Sequence, residues 1–396
     1  MFSGKRIVLG VSGGIAAYKA VEICRHLVAN GAHVTPIMTT GSKKFLGELT
    51  LSALASERVK SSLWEDDDPI PHTTLGQQAD LILIAPATAK LIGTYAAGIS
   101  NDLLTATLLA SRAPVIICPA MHTEMWEHPA VQDNIRTLKN RGVFVVDPED
   151  GQLAGGDEGK GRLAATDLIV SKVERVLGPN DLENLKILVT AGGTREEIDP
   201  VRFISNRSSG KQGYAIAAAA VARGATVTLI TTVEREAPPD VEIQCAESAK
   251  DLQAAVMSCA ENHDIIVMAA AVADFHPSKI AHTKLKKTSS FKKIDLEPTH
   301  DFLVDLGEDK LPHQTIVGFA AETENLEKNA LEKLFKKKLD LIVANDVSAP
   351  ETGFAYDTNA VLLLSAETKQ SIPLADKRVV AERILDAIVK IRQNDY

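Results

Sequence analysis

A chain of 396 residues, 45% apolar and 24% charged, is long enough for two large α/β domains and has no disordered or collagen-like bias. Its formal charge of −9 and pI near 5.6 exclude a general attraction to nucleic acid or an anionic membrane, so any anion site must be built locally. No apolar run reaches the ~18 residues of a membrane span, and Cys24, Cys118, Cys245 and Cys259 lie too far apart for a disulfide framework or a zinc site, which points to a reducing cytoplasm.

In chain order, residues 6–11 predict a buried strand, Gly13 and Gly14 open an amphipathic helix to about residue 29, and 33–38 form a second strand. Helical residues follow Ser42, then come a strand at 81–85, helices from 88 to about 110, a strand at 114–118, a helix to 140 and a strand at 143–146. The stretch 147–162 is rich in Gly and Asp, lacks period and is expected to be a functional loop. A helix at 166–176 closes a first domain, 1–178, and a linker spans 179–185. The second domain, 186–396, opens with a strand at 186–190, Gly192 and Gly193, an irregular stretch, a helix at 210–223 and a strand at 226–231. Strands at 264–270, 314–320 and 340–344, a hairpin-like stretch at 359–373 and a helix at 377–393 complete it. This alternation predicts two α/β, Rossmann-like domains, the second a doubly wound parallel sheet with a β-hairpin extension. The segments LVANGAHVTPIMTT and AVARGATVTLITT match in layout, as two copies of one architecture would.

Ligands of such sheets bind beyond the carboxyl ends of the strands, where this chain carries VSGGIAAYK, MTTGSKKF and APATAK. Gly13 and Gly14 let backbone amides approach an anion, and Thr39, Thr40, Ser42 and Thr88 offer hydroxyls. Without a full GxGxxG or an acidic residue ending the second strand, a mononucleotide such as FMN fits better than NAD, although tight turns and caps would account for any one segment. In the second half, Ser208, Ser209 and Gly210 precede a helix as an anion cradle, and Gly193 lacks the Walker A spacing to Lys211. Six lysines between Lys279 and Lys293, with no acidic residue among them, suit a triphosphate; a solvated hairpin is the plainer alternative. Asp274, after a small-residue strand end, suits ribose hydroxyls or a metal carried by a triphosphate.

The segments GVSGGIAAYK, PHTTL, ADLILIAPATAK, CPAMHTEMW and GDEGKGRLA resemble, over residues 5–176, the phosphopantothenoylcysteine decarboxylase half of the bifunctional flavoprotein family of coenzyme A biosynthesis. The resemblance implies a flavodoxin-like, flavin-containing cysteine decarboxylase fold, with FMN held by Gly13, Gly14, Ile15, Thr39, Ser42 and Thr88. It also implies substrate near Gly155, Gly156 and Asp157, and trimers with sites formed between neighbouring subunits. His72 matches the family's catalytic histidine, a base or a substrate-orienting group. Two positions depart from the common pattern. His122 stands where many members have asparagine and can still donate a hydrogen bond to the substrate carboxylate. Gly155 stands where many have the cysteine that reprotonates the enethiolate, so another acid, Asp157 or Glu158 among the loop candidates, takes its place, or the first half only scaffolds or regulates an active ligase.

TAGGTREEIDPVRFISNRSSGKQGYAIA, AAAVADFHPSK and KIAHTKLKK resemble the ligase half of the same family from residue 186 to the final helix. The resemblance implies that CTP activates 4′-phosphopantothenate as an acyl-cytidylate and that the cysteine amine displaces CMP. Asn206 would orient the acyl intermediate, Lys284 would neutralise developing charge, and Asp274 would hold ribose or Mg2+. Ala269, Ala270, His300, Asp301, Phe302, Leu303, Phe319, Lys333 and Lys337 would contact the nucleotide, and Arg202, Ser208, Ser209 and Gly210 the substrate. Dimers of this half joined to trimers of the first would close a dodecamer. A nicotinamide dehydrogenase is the rival class.

Overall fold

Short runs of Val, Ile and Leu, apolar on both faces, are what a covered parallel sheet requires, and they set the architecture of the first unit. In the computed structural model, which describes residues 2–64, 68–286, 293–322, 324–346, 353 and 356–394, the chain divides into units Met1–Gly178 and Pro179–Tyr396. The first is built on β1 (Arg6–Val11), β2 (His33–Met38), β3 (Leu81–Ala87), β4 (Val115–Pro119) and β5 (Phe144–Val145), all parallel, in the order β2-β1-β3-β4-β5. Ile7, Leu9 and Val11 pack on one face with Ile23, Leu27 and Ile169, while Val8, Ile82 and Ile84 pack on the other with Leu103 and Leu104. The strand order turns back between β1 and β3, so the connections leaving these strands diverge and open a crevice at their carboxyl ends.

The stretch expected as a loop at 147–162 is instead an antiparallel ribbon, β6 (Glu149–Gln152) with β7 (Glu158–Arg162). Its pairing rests on backbone hydrogen bonds between strands of polar residues and glycine, so no alternation of apolar residues announces it.

The second unit carries β8 (Lys186–Ala191), the hairpin β9 (Arg195–Asp199) and β10 (Arg202–Ser205), β11 (Thr226–Thr231), β12 (Val241–Cys245) and β13 (Ile265–Met268). A small ribbon of β14 (Phe275–Pro277) and β15 (Leu296–Pro298) precedes β16 (Thr315–Glu322), β17 (Leu341–Asp346), β18 (Thr358–Leu364) and β19 (Lys369–Asp376). The main sheet runs β12-β11-β8-β13-β16-β17-β18-β19, parallel through β17 and closed by an antiparallel hairpin. Its parallel part is the doubly wound order with a switch between β8 and β13. The irregular stretch expected after Gly193 is thus the β9–β10 hairpin. The strand expected over 264–270 ends at Met268, which frees Ala269 and Ala270 from the sheet. Among the described residues no helix is long and apolar enough to cross a membrane.

Candidate active sites

Beyond the carboxyl ends of β1 and β3 lies a cavity of about 1070 Å³, lined by Gly13, Gly14, Ile15, Thr39, Thr88 and His122 among others. Its floor depends on glycine: a β-carbon on Gly13 would stand 2.7 Å from the Gly41 carbonyl carbon, so only a bare backbone lets the connections after β1 and β2 touch. Ser12 ties these loops to β3, donating from Oγ to the Pro86 carbonyl at 2.8 Å and accepting from the Thr88 amide at 2.9 Å. Ser42 lies outside the cavity: it is fully buried, and its hydroxyl donates to the Thr39 carbonyl at 2.8 Å. Asn101, Asp102 and Thr105 also line the hollow and were not singled out in the sequence. Asp102 caps the helix Leu103–Ala110 by accepting from the Thr105 amide at 2.8 Å, so the Asp-x-x-Thr cap was the readable signal.

His122 reaches the cavity from the end of β4, with Nδ1 2.9 Å from Glu124 Oε2 and Nε2 3.6 Å from Asp157 Oδ2. The hydrogen bond to His122 holds the Glu124 carboxyl below its usual range. A β-carbon on Gly155 would lie 2.8 Å from His122 Nε2, so the imidazole fills the space toward which a side chain at 155 would project. Gly155, Gly156 and Asp157 are not themselves in the lining, whereas Gln152, Leu153 and Ala154 are. His72 is outside the cavity as well, in the first turn of the helix Pro71–Gln78, with its Nδ1 buried and without a hydrogen-bond partner among the described residues.

In the second unit Ser208, Ser209, Gly210, Ala269, Ala270 and Phe319 share a hollow of about 90 Å³ with Asn345, Asn359 and Lys377, which sequence reading passed over. Gly210, at φ +75°, turns the chain into the helix Lys211–Ala222. Lys377 is buried and donates to the carbonyls of Gly353 and Tyr356; burial first, and then the Lys211 charge, pull its ammonium down to about 8. Asn206 donates through Nδ2 to the Val272 carbonyl at 2.9 Å, which fastens the exit of the β9–β10 hairpin to the chain after β13. Asp274 and Lys284 are exposed.

Several residues assigned to nucleotide or substrate are engaged by protein partners. Lys333 pairs with Glu322 at 2.7 Å, Lys337 with Asp301 at 2.7 Å, and His300 with Asp305 at 2.6 Å. Burial opposes ionisation of Glu322, but the hydrogen bonds from Lys333 and Asn329 outweigh it and keep the carboxyl below its usual range. Arg202 is bound to Asp199, Phe302 is 2% exposed within the core, and Leu303 packs against that core. Lys287 and Lys292 of the lysine-rich stretch lie outside the described residues. Among the described residues no three His, Cys, Asp or Glu side chains converge as a metal site, around Asp274 or elsewhere.

A profile of the flavoprotein family matches residues 1–178, and one described as "DNA/pantothenate metabolism flavoprotein C-terminal domain" matches residues 182–391. The coenzyme A biosynthesis bifunctional protein CoaBC of Mycobacterium tuberculosis is 46% identical over 97% of this chain and 96% of its own length. The chain belongs to the CoaBC family. The Escherichia coli CoaBC is 42% identical over 98% of this chain and 97% of its own. A solved structure of the C-terminal domain of a CoaBC protein is 40% identical, covers 54% of this chain and 99% of that one, and gives a TM-score of 0.47.

Membership makes the chain a bifunctional enzyme of coenzyme A biosynthesis, with a flavoprotein decarboxylase half and a ligase half; a first half that only scaffolds is not favoured. The chain has no thiol at 155, and the cysteines of the first unit do not replace one: Cys24 and Cys118 are buried, and burial pushes the Cys24 thiol up to about 11 and Cys118 higher still.

Proposed function

We propose that the second unit joins cysteine to 4′-phosphopantothenate at the expense of CTP, and that the first, holding FMN, decarboxylates the product to 4′-phosphopantetheine. The observation that carries this reading is the glycine-floored cavity at the switch point of the first sheet, in a chain similar to CoaBC proteins over both halves. The cavity suits a flavin mononucleotide. Amides at Gly13 and Gly14 would meet its phosphate, Thr39 and Thr88 supply hydroxyls, and Leu91, Met121 and Met125 give apolar wall for a ring system. When bound, FMN supplies the electron sink, taking a hydride from the substrate and returning it after CO₂ has left.

The chain's own task is then to place a proton. Departing CO₂ leaves its electron pair on the substrate carbon, which must form a C–H bond. His122, occupying the space beside Gly155 and braced by Glu124, gives that proton from Nε2 and recovers it from solvent. His72 acts as base or orienting group in a site completed by a neighbouring subunit. Its buried Nδ1, without a partner among the described residues, and the exposed Trp64 (87%) and Leu49 (84%) support such association. Trimers of this unit and dimers of the other would build the dodecamer, working in the cytoplasm.

In the ligase half, Asn206 at the hairpin exit orients the activated acid, Lys284 meets charge growing at the α-phosphate, and Ser208 to Gly210 bind an anion of the substrate. The exposed Asp274 carboxylate, outside any group of three ligating side chains among the described residues, fits a magnesium ion carried mainly by phosphate oxygens, since Mg2+ commonly takes one or two carboxylates and keeps its other ligands from substrate and water. The test is mass spectrometry of products after adding phosphopantothenate, cysteine and CTP to the purified yellow protein. Phosphopantetheine, CMP and CO₂ are expected; phosphopantothenoylcysteine as the sole product would reduce the first half to a scaffold, and no CTP consumption would end the ligase reading.

A further inference from the structure

The Asp199 carboxylate, at the end of β9, has no exposed surface, which is costly for a charge unless it is fully hydrogen-bonded. It is fully engaged. It accepts from the amides of Val201 (2.9 Å) and Arg202 (3.0 Å), from the Arg202 guanidinium through Nε (3.0 Å) and Nη2, and from the Leu285 amide at 3.1 Å. The first four bonds are local and would complete any turn between two strands. The fifth reaches 86 residues along the chain.

Arg202 closes the clamp from the other side, because its Nη2 also donates to the Leu285 carbonyl at 2.8 Å. Both backbone groups of Leu285 are therefore held by one ion pair, whose carboxylate is buried and whose guanidinium is partly exposed. A second staple lies four residues earlier, where the Ala281 amide donates to the Ile198 carbonyl at 3.0 Å. Lys284 sits between the two staples with its side chain exposed. The segment they fasten carries six lysines between 279 and 293, so mutual repulsion favours its release, and a buried anion opposes that. The same hairpin continues through β10 to Asn206, which is itself bonded to the Val272 carbonyl.

We propose that Asp199 is the positioning residue of the ligase half: through Leu285 it holds Lys284 to the β9–β10 hairpin that also carries Asn206, so that one rigid turn sets the separation of the two groups. This rests on the role given to Lys284 under Proposed function. A held backbone confines the region that the four side-chain torsions of the lysine can reach, and so shortens the search that precedes charge neutralisation.

The experiment uses the full-length protein and a double-mutant cycle of Asp199→Asn and Lys284→Gln, with decarboxylation of supplied phosphopantothenoylcysteine as the control for fold and assembly. Asp199→Asn should lower the ligation kcat about 10- to 100-fold, leave the KM for CTP within about twofold, and restore part of the rate as Asp199→Glu. In the Lys284→Gln background the same change should cost less than about twofold, because its effect travels through that lysine. Trypsin should cut after Lys284 and Lys286 faster in Asp199→Asn than in the parent. Equal losses in both backgrounds would overturn the positioning role, and unchanged cleavage would overturn the clamp. If Lys284→Gln leaves no measurable rate, Lys284→Arg takes its place in the cycle. If Lys284→Gln leaves ligation unaltered, the role of Lys284 falls, while the trypsin result still decides the clamp. Should Asp199→Asn fail to fold, Leu285→Pro, which removes the amide donor and also fixes the backbone there, takes its place in the kinetic cycle, with trypsin scored after Lys286 alone because a Lys-Pro bond resists cleavage.

Discussion

The two units are built on similar sheets yet prepare their ligands differently. The first keeps a wide hollow of about 1070 Å³ whose polar groups come from the backbone and from small hydroxyl residues. In the second, the hollow between Ser208 and Lys377 measures about 90 Å³ among the described residues, and Arg202, Lys333 and Lys337 are bound to Asp199, Glu322 and Asp301. A resident cofactor rewards a preformed cavity, whereas a polyphosphate co-substrate that arrives and leaves in each turnover can be met by charges held in place by carboxylates. The lesson is that a parallel sheet supplies the edge, and the connections leaving it decide whether that edge becomes a pocket or a set of tethered charges.

The sharpest way to break this comparison is His72→Asn. It should lower decarboxylation about 10³-fold or more while amide formation from CTP, cysteine and phosphopantothenate is unchanged, as followed by CO₂ and CMP release. Loss of both activities in a folded, assembled variant would refute independent sites. Lys284→Gln should slow ligation by about 10²-fold and spare decarboxylation; an unaltered rate of CMP release would show that another lysine of the stretch serves.

Next in size is the exchange between His122 and Gly155. His122→Ala should slow decarboxylation about 10²-fold and let an ene-thiol short of one hydrogen molecule accumulate in the product mixture. Adding Gly155→Cys should recover much of the loss, since the thiol enters the space the imidazole has left, whereas Gly155→Cys alone must displace the His122 ring and should reduce activity. A double variant no faster than His122→Ala would sink the proton-donor role.

The smallest effect concerns Lys377. Its folded-state value, about 8, lies below its ordinary 10.5, so between these pH values the unfolded chain binds the extra proton. This group therefore penalises folding below pH 8, and the penalty lifts as pH rises toward 10. The melting temperature of Lys377→Met should lack that rise; a parallel pH profile in parent and variant would remove the group from the balance.

Much of this was legible along the chain. Strands 6–11, 33–38 and 226–231 have the expected bounds because a doubly covered strand needs an uninterrupted apolar run and a helix needs its stripe. The β6–β7 and β9–β10 ribbons were hidden because backbone pairing at a surface leaves no apolar period. The helix Leu326–Lys336 was passed over although Leu326, Ala330 and Leu334 carry the stripe. Among site residues, Gly13, Gly14 and Thr88 could be placed from strand-end position alone. The engagement of Ser42 with Thr39, of Lys337 with Asp301, and the buried place of Phe302 could not.

What the amino-acid order determined by itself is local: alternating periods, glycine turns at strand ends, an acidic protein with one basic stretch, and the motifs that mark the family. What only the tertiary structure decided is who meets whom. The approach of Gly13 to Gly41, the seat of His122 beside Gly155, and the hold of Asp199 on Leu285 join residues separated by tens of positions. Such contacts arise from strand order and close packing, and chain sequence constrains them only through the whole core at once.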